Sequence, residues 1–143
     1  MRWNLRQATA QDEELLYEAH RAAMRDHVEA VWGWEEVDQR SRFHASFDPD
    51  RISVVISSGR VLGLLRVDDR GQELFLASIE LAPEARRSGL GSEIIHSVLD
   101  EAAQRRVPVR LQVFRQNPAR RLYERLGFRV VGETPTHIEM VHE

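Results

Sequence analysis

Residues 73–105 read ELFLASIELAPEARRSGLGSEIIHSVLDEAAQR. The first nine, Glu73–Leu81, are rich in apolar residues and read as a buried strand. From Leu90 to Arg105 apolar residues recur at helical spacing, at Leu90, Ile94, Ile95, Val98, Leu99, Ala102 and Ala103. Between the two, Arg86–Gly91 (RRSGLG) forms a loop that leads into the first helical turn. That turn leaves backbone N–H groups without internal partners and carries the positive end of the helix dipole. Gly89 and Gly91 have no Cβ, so an anion approaches the main chain closely there, which suits a pyrophosphate. Arg86 and Arg87 add charge-assisted donors. The loop has neither the Gly-Lys-Ser/Thr ending of a P-loop nor the Gly-x-Gly-x-x-Gly of a dinucleotide fold. By itself a short glycine motif is equally well a plain strand-to-helix turn with solvated arginines, and the rest of the chain decides between the two.

Upstream, Trp3–Gln7 alternates and reads as a first strand. Asp12–His27 carries Leu15, Leu16, Ala19, Ala22, Ala23 and Met24 at helical spacing, with Thr9 or Gln11–Asp12 near its start. The run Val31–Trp32–Gly33–Trp34 interrupts that pattern, and a less regular helix is expected from about Glu35 to Phe47, ended by Asp48–Pro49–Asp50. Ile52–Ser57 and Val61–Val67 read as a hairpin around Ser58–Gly59–Arg60. A second turn at Asp68–Gly71 leads into the Glu73–Leu81 strand. Downstream, Val107–Phe114 is a further strand. Asn117–Pro118 supplies an N-cap and a proline at the first helical position of a short helix to Leu126. Phe128–Val131 and His137–Val141 form a closing pair. The order βααβββαβαββ describes an α/β (α+β) protein with a mixed, mostly antiparallel central sheet flanked by helices. In such sheets ligands bind beyond the carboxyl ends of strands, and the glycine loop lies at such an end.

The chain has 143 residues, 42% of them hydrophobic and 30% charged, which fits a single globular domain over 1–143. No apolar run is long enough to cross a bilayer, and MRWNLRQATAQDEE lacks the hydrophobic stretch of a signal peptide. A cytoplasmic enzyme or binding protein is the expectation. Cysteine is absent, which excludes disulfides, thiolate metal sites and cysteine nucleophiles. Every one of the 20 basic residues is arginine, so lysine Schiff-base chemistry is excluded too. The net charge of −3 hides an asymmetry: residues 1–50 hold eleven acids against six arginines, residues 86–129 ten arginines against four acids. One region therefore suits an anionic cofactor and the other a cationic substrate, unless both are simply solvated faces. The arginines are scattered over several elements without interleaved aromatics, which argues against nucleic acid. No amphipathic stripe suggests a membrane surface.

Taken together, the glycine loop and the element order resemble the GCN5-related N-acetyltransferase (GNAT) superfamily. Its acetyl-CoA loop, Gln/Arg-x-x-Gly-x-Gly/Ala, is met by Arg86, Gly89 and Gly91. A second element, running from an Asn to Leu-Tyr and Gly-Phe, is met by Asn117, Leu122, Tyr123, Gly127 and Phe128. The resemblance covers about residues 72–131; residues 1–70 match in topology alone. It implies the GNAT fold and an acetyl-CoA-dependent N-acetyltransferase, acetyl-CoA being the co-substrate and a primary amine of a small molecule or peptide the acceptor. A non-catalytic acyl-CoA-binding or sensing module is the alternative. The resemblance is also compatible with a homodimer.

Carried over to this chain, the resemblance has main-chain groups of Leu81 and Ala82 meeting the pantetheine arm. The backbone of Arg86, Arg87, Ser88, Gly89, Leu90, Gly91 and Ser92 would hold the pyrophosphate. Asn117 would bond the cofactor or the helix start, Arg120 would reach the phosphates, and Tyr123 would sit near the thioester sulfur. A phenol there can protonate the leaving thiolate, since thiol and phenol titrate within a few units of each other; its other reading is a core aromatic on a short helix. Glu80, a carboxylate in an otherwise apolar strand, is the candidate base for the amine, and its other readings are a solvated or salt-bridged strand residue. Water is a further proton carrier.

In the variable half, MRDHVEAVWGWEE (Met24–Glu36) stands out. Trp34 and Glu35 are candidates to stack on and pair with a cationic amine, and His27 is an alternative base or a histidine bonded to backbone. Trp32 is expected to cap the core. His20, His44, His96, His137 and His142 show no metal-ligand spacing, and no metal is expected.

Overall fold

The computed structural model describes residues 2–85 and 88–143, with the side chains of His27 and Val31 left out. The elements run β1 (Asn4–Gln7), α1 (Glu13–Val31), α2 (Glu36–Ser46), β2 (Ile52–Ser57), β3 (Arg60–Asp69), β4 (Leu74–Leu81), α3 (Leu90–Arg105), β5 (Val109–Phe114), α4 (Ala119–Arg125), β6 (Arg129–Glu133) and β7 (His137–His142). Three short 3-10 turns intervene, at Ala10–Asp12, Pro49–Arg51 and Pro83–Ala85. The strands form one seven-stranded sheet in the order β1-β2-β3-β4-β5-β7-β6. The expected order of elements is the observed one. Boundaries moved by a residue or two, except that α1 runs four residues past His27.

Two compact units divide the chain, residues 1–66 with 78–88 and residues 67–77 with 89–143. In the first, β1 and β2 pair antiparallel from Asn4↔Ile56 to Gln7↔Ser53. β2 and β3 make the expected hairpin, with a register shift between Val55 and Ile56. Its turn needs left-handed backbone at Ser58 and Gly59, with φ of 53° and 75°, as a two-residue hairpin connection does. Ala8, Leu16, Ile52, Val54 and Leu64 form a buried cluster, onto which Phe43 of α2 and Phe47 just beyond its end pack. The entry to α1 is held by Asp12, whose carboxylate takes both Arg6 guanidinium nitrogens at 2.8 Å and the Thr9 N–H at 2.8 Å. The Arg6 bond, more than the Thr9 bonds, holds the Asp12 carboxyl well below its usual range. Leu15 was placed on the apolar stripe but is 59% exposed. Leu16 of the same stripe is buried as expected, and Tyr17 and Val28 join it on the buried face.

In the second unit, β4 and β5 pair in parallel, Leu74–Leu76 against Val109–Leu111. β5 and β7 pair antiparallel over six residues, Val109↔His142 to Phe114↔His137. β6 closes on β7 with a shift between Val130 and Gly132. Helix α3 buries Leu90, Ile94, Ile95, Val98, Leu99 and Ala102; each larger one contributes about 1.5–3 kcal/mol by leaving water. Ala103, counted with them from its spacing, is exposed. Among the described residues no helix is long and apolar enough to cross a membrane.

Candidate active site

The start of α3 is built from main chain. Gly89 occupies the N-cap with φ +83°, ψ −2°, and no side chain caps the helix. A residue with a Cβ rarely adopts that conformation, so glycine is required by the backbone itself. An added Cβ would nevertheless meet nothing within 4 Å, so the space in front of this residue is open. Gly89 O accepts the Glu93 N–H at 3.1 Å, the first bond of the helix. Preceding it, Ser88 Oγ donates to Ala85 O at 2.6 Å and ties the approach to the Pro83–Ala85 turn. Main-chain amides at a 16-residue helix's positive end, behind an open glycine, are the donor set that phosphate oxygens need. The coenzyme A pyrophosphate fits this arrangement. Arg86 and Arg87, the expected charged donors, lie outside the described residues.

Helix α4 presents Tyr123, 8% exposed, edge-on to Phe128 with ring centroids 5.7 Å apart. Burial pushes its phenol up to about 12. The hydroxyl has no hydrogen-bond partner among the described residues. Asn117 Oδ1 accepts the Ala119 N–H at 2.9 Å, so its side chain serves the helix start, one of the two roles expected of it. Arg120 bonds Glu124 one turn on at 3.1 Å and points along its own helix.

The carboxyl end of β4 is a side-chain site. Glu80 is buried, and its Oε2 lies 2.6 Å from His20 Nδ1 on α1. Of the readings open to Glu80, the solvated one is excluded, and its carboxylate is bonded to His20. Main chain at this point is tight. An added Cβ on Gly63 would fall 2.0 Å from Glu80 O, so β3 and β4 approach as only glycine permits. The Ala82 N–H donates to Leu62 O at 2.7 Å and its carbonyl accepts from Ala85. The Ala82 amide expected to face the pantetheine arm is thus occupied by β3.

Around His20 stand Phe43 at 5.1 Å, Tyr17 at 6.1 Å and Trp34 at 6.1 Å, centroid to centroid. The Tyr17 hydroxyl donates to Glu36, which also takes Arg21 at 3.0 Å. Burial, then the Glu36 bond, pushes Tyr17 up to about 12. The Tyr17 bond, more than Arg21 or the nearby Trp34 indole, lowers Glu36. Arg40 stacks 4.4 Å over the Tyr17 ring. Trp34 is half-buried in this group, whereas Glu35 caps α2 from an exposed position. The side chain of His27 lies outside the described residues. Trp32, expected to cap the core, is 60% exposed. Its backbone leaves helical geometry at φ −125°, so the four-residue spacing from buried Val28 no longer carries it inward. His20 was missed as a site residue. The usable signal was its place three and four residues after Tyr17 and Leu16, a histidine on an apolar stripe with one buried carboxylate to pair. Among the described residues no group of three or more His, Asp or Glu could hold a metal ion.

Residues 13–128 match the sequence model of the Acetyltransferase (GNAT) family, and the chain belongs to that family. Over 93 residues it is 36% identical to a protein of Pseudomonas phage PaMx11 described as a 5-NmdU N-acetyltransferase. That match covers 63% of this chain and 65% of the phage protein, so the chain spans just under two thirds of that relative's length. Among solved structures, the PaiA N-acetyltransferase from Thermoplasma acidophilum in complex with coenzyme A superposes with a TM-score of 0.82 at 16% identity, covering 100% of this chain and 99% of that one. The ribosomal-protein-S18-alanine N-acetyltransferase from Escherichia coli gives 0.73 at 21% identity, covering 99% and 93%. At these identities the likeness establishes the shared fold, the mixed, mostly antiparallel sheet flanked by helices.

Proposed function

We propose that residues 1–143 act as one domain, an acetyl-CoA-dependent N-acetyltransferase that moves an acetyl group directly onto a primary amine of a small molecule or peptide. The observation that carries this reading is the glycine-led start of α3, with Gly89 left-handed and open, in a chain of the acetyltransferase family. The bound thioester supplies the activated acetyl group. The amides of Gly89–Ser92, with Ser88, Arg86 and Arg87, hold its pyrophosphate, and Leu81 meets the pantetheine arm through its main chain. Ala82 contributes there through its carbonyl alone.

Tyr123 is the proton donor to the departing thiolate. A phenol pushed up to about 12 stays protonated at neutral pH, whereas an ordinary thiol titrates near about 8.5. Donation moves the negative charge from sulfur to the phenol oxygen, and the proton the attacking nitrogen still carries then restores the phenol. The amine gives up its proton at the Glu80 end of β4. With cysteine and lysine absent, direct transfer without an acyl-enzyme is the economical route.

Titrating acetyl-CoA into the protein by calorimetry, then following CoA release across a panel of amines, tests the reading. The panel holds a polyamine, an aminoglycoside, an amino acid, a peptide with a free N-terminus and 5-NmdU, the last because a relative is described by it. Binding with turnover on one class supports the enzyme and identifies its acceptor. Binding without turnover on any amine would favour a sensing module instead. Absence of binding would overturn both.

A further inference from the structure

We infer that His20, not Glu80, takes the proton from the acceptor amine, and that Glu80 is its positioning partner; this rests on the acetyltransferase reading. The two side chains meet through one short bond, His20 Nδ1 to Glu80 Oε2 at 2.6 Å. An ionised carboxylate only accepts, so the bond requires the hydrogen on Nδ1. In the neutral ring that places the lone pair on Nε2. Nε2 has no partner among the described residues. Of the pair, His20 is the outer member, its side chain 20% exposed against 9% for Glu80. A substrate nitrogen therefore reaches imidazole before carboxylate. An imidazole ordinarily titrates near working pH and a carboxylate about two units lower, which favours the ring as base.

The ring is also held in place from several sides. Phe43 lies 5.1 Å away, and Tyr17 and Trp34 each 6.1 Å. The charged and titratable groups around it are Glu80 on β4, Tyr17 and Arg21 on its own helix, and Glu36 and Arg40 on α2. Tyr17, Arg21 and Glu36 bond one another, and Arg40 stacks on Tyr17 and pairs with Glu14. Glu80 alone among them bonds the imidazole.

In the step itself the amine arrives as an ammonium and gives one proton to His20 Nε2. The freed lone pair forms the C–N bond to the acetyl carbon, and the C–S bond breaks with its electron pair on sulfur. Sulfur takes the Tyr123 proton. The nitrogen's second proton restores the phenol through water, and His20 returns its proton to water. The products are amide, thiol and one released proton.

The test pairs His20→Asn, whose amide nitrogen can still donate to Glu80, with Glu80→Gln, using acetyl-CoA and the preferred amine of the panel. His20→Asn is expected to lower kcat about 10²–10³-fold, leave acetyl-CoA affinity unchanged by calorimetry, and erase the acid inflection of the kcat/KM–pH profile. Glu80→Gln is expected to lose less and to keep that inflection, moved to lower pH because a neighbouring negative charge has gone. Nitrogen NMR of the wild-type imidazole is expected to find the Nδ1–H tautomer, independently of turnover. The Nε2–H tautomer would overturn the assignment. So would wild-type kinetics in His20→Asn, or an inflection that vanishes in Glu80→Gln alone, which would make Glu80 the base. Wild-type protein that binds acetyl-CoA yet acetylates no amine would instead remove the acetyltransferase reading, and the base with it.

Discussion

At the start of α3 the protein offers main chain: a left-handed glycine, the amides of a helix end and open space. Around α1 and α2 it offers side chains joined across long stretches of sequence. His20 and Glu80 are 60 residues apart, Tyr17 and Glu36 19. The first arrangement suits an anion, for which a helix end with glycines suffices. The second depends on which side chains the packing of α1, α2 and β4 happens to join. A paired, partly buried group of that kind is suited to taking a proton from an ammonium.

The sharpest break of this contrast is at Tyr123. Tyr123→Phe keeps the ring packed on Phe128, so kcat is expected to fall about 10²–10⁴-fold with calorimetric acetyl-CoA affinity within about 2-fold. An unchanged kcat removes the phenol from the chemistry. Next comes Gly89→Val. The added Cβ meets nothing within 4 Å, and the change costs the fold about 1–2 kcal/mol through backbone strain. The side chain stands in front of the helix amides, however, and acetyl-CoA binding should weaken about 100-fold or more, near 3 kcal/mol. Normal affinity in a folded Gly89→Val would show that main chain is not what holds the anion.

Gly63→Ala probes the side-chain region through its backbone. The added methyl overlaps Glu80 O, so β3 and β4 must part; a loss of about 3 kcal/mol is expected in urea unfolding. Retained stability would mean that the close approach at Glu80 is not structural. The smallest effect is expected at Asp12. Its carboxyl is lowered on folding, chiefly by Arg6, so its contribution is present above the ordinary carboxyl range and is lost as pH falls through it. Asp12→Asn should cost about 1–2 kcal/mol near neutral pH, discounted because Arg6 is part-exposed. The gap to wild type should narrow in acid, read as the difference in urea midpoints at about pH 7 and about pH 3. A gap that stays constant would assign the effect to helix capping alone.

The two tyrosines of the chain sharpen the contrast from both sides. Tyr17 belongs to the side-chain cluster and Tyr123 to α4, yet burial is the first cause that pushes each to about 12. Both folded values lie above the ordinary phenol near about 10. The unfolded chain therefore ionises first, and stability should fall as pH rises from about 10 towards 12. Ultraviolet titration of the folded protein is expected to show little phenolate at about pH 10; full ionisation there would contradict the burial of both rings.

The α3 side was readable in residues because its parts are local. Glycine, helix periodicity and Asn117–Pro118 each act within a turn or two, and the expected start of α3 at Leu90 behind Gly89 is found in place. At Arg120 the local partner is Glu124, which takes the guanidinium one turn on in the same helix. The α1–α2 side was readable only in outline. Trp32 and Leu15 went the wrong way because the buried stripe of α1 is set by what packs against it. Glu80 stood out as a carboxylate in an apolar strand, but nothing in its neighbours pointed to His20.

By itself the sequence determined the succession of elements, the glycine-led start of α3 and the short helix that carries Tyr123, since these follow from backbone preferences and periodicity over a few residues. Only the tertiary structure decided that Glu80 meets His20, that Gly63 must be glycine beside it, and that Ala82's amide is already used. Those are distances between segments far apart in the chain, and no local preference encodes a distance across a sheet.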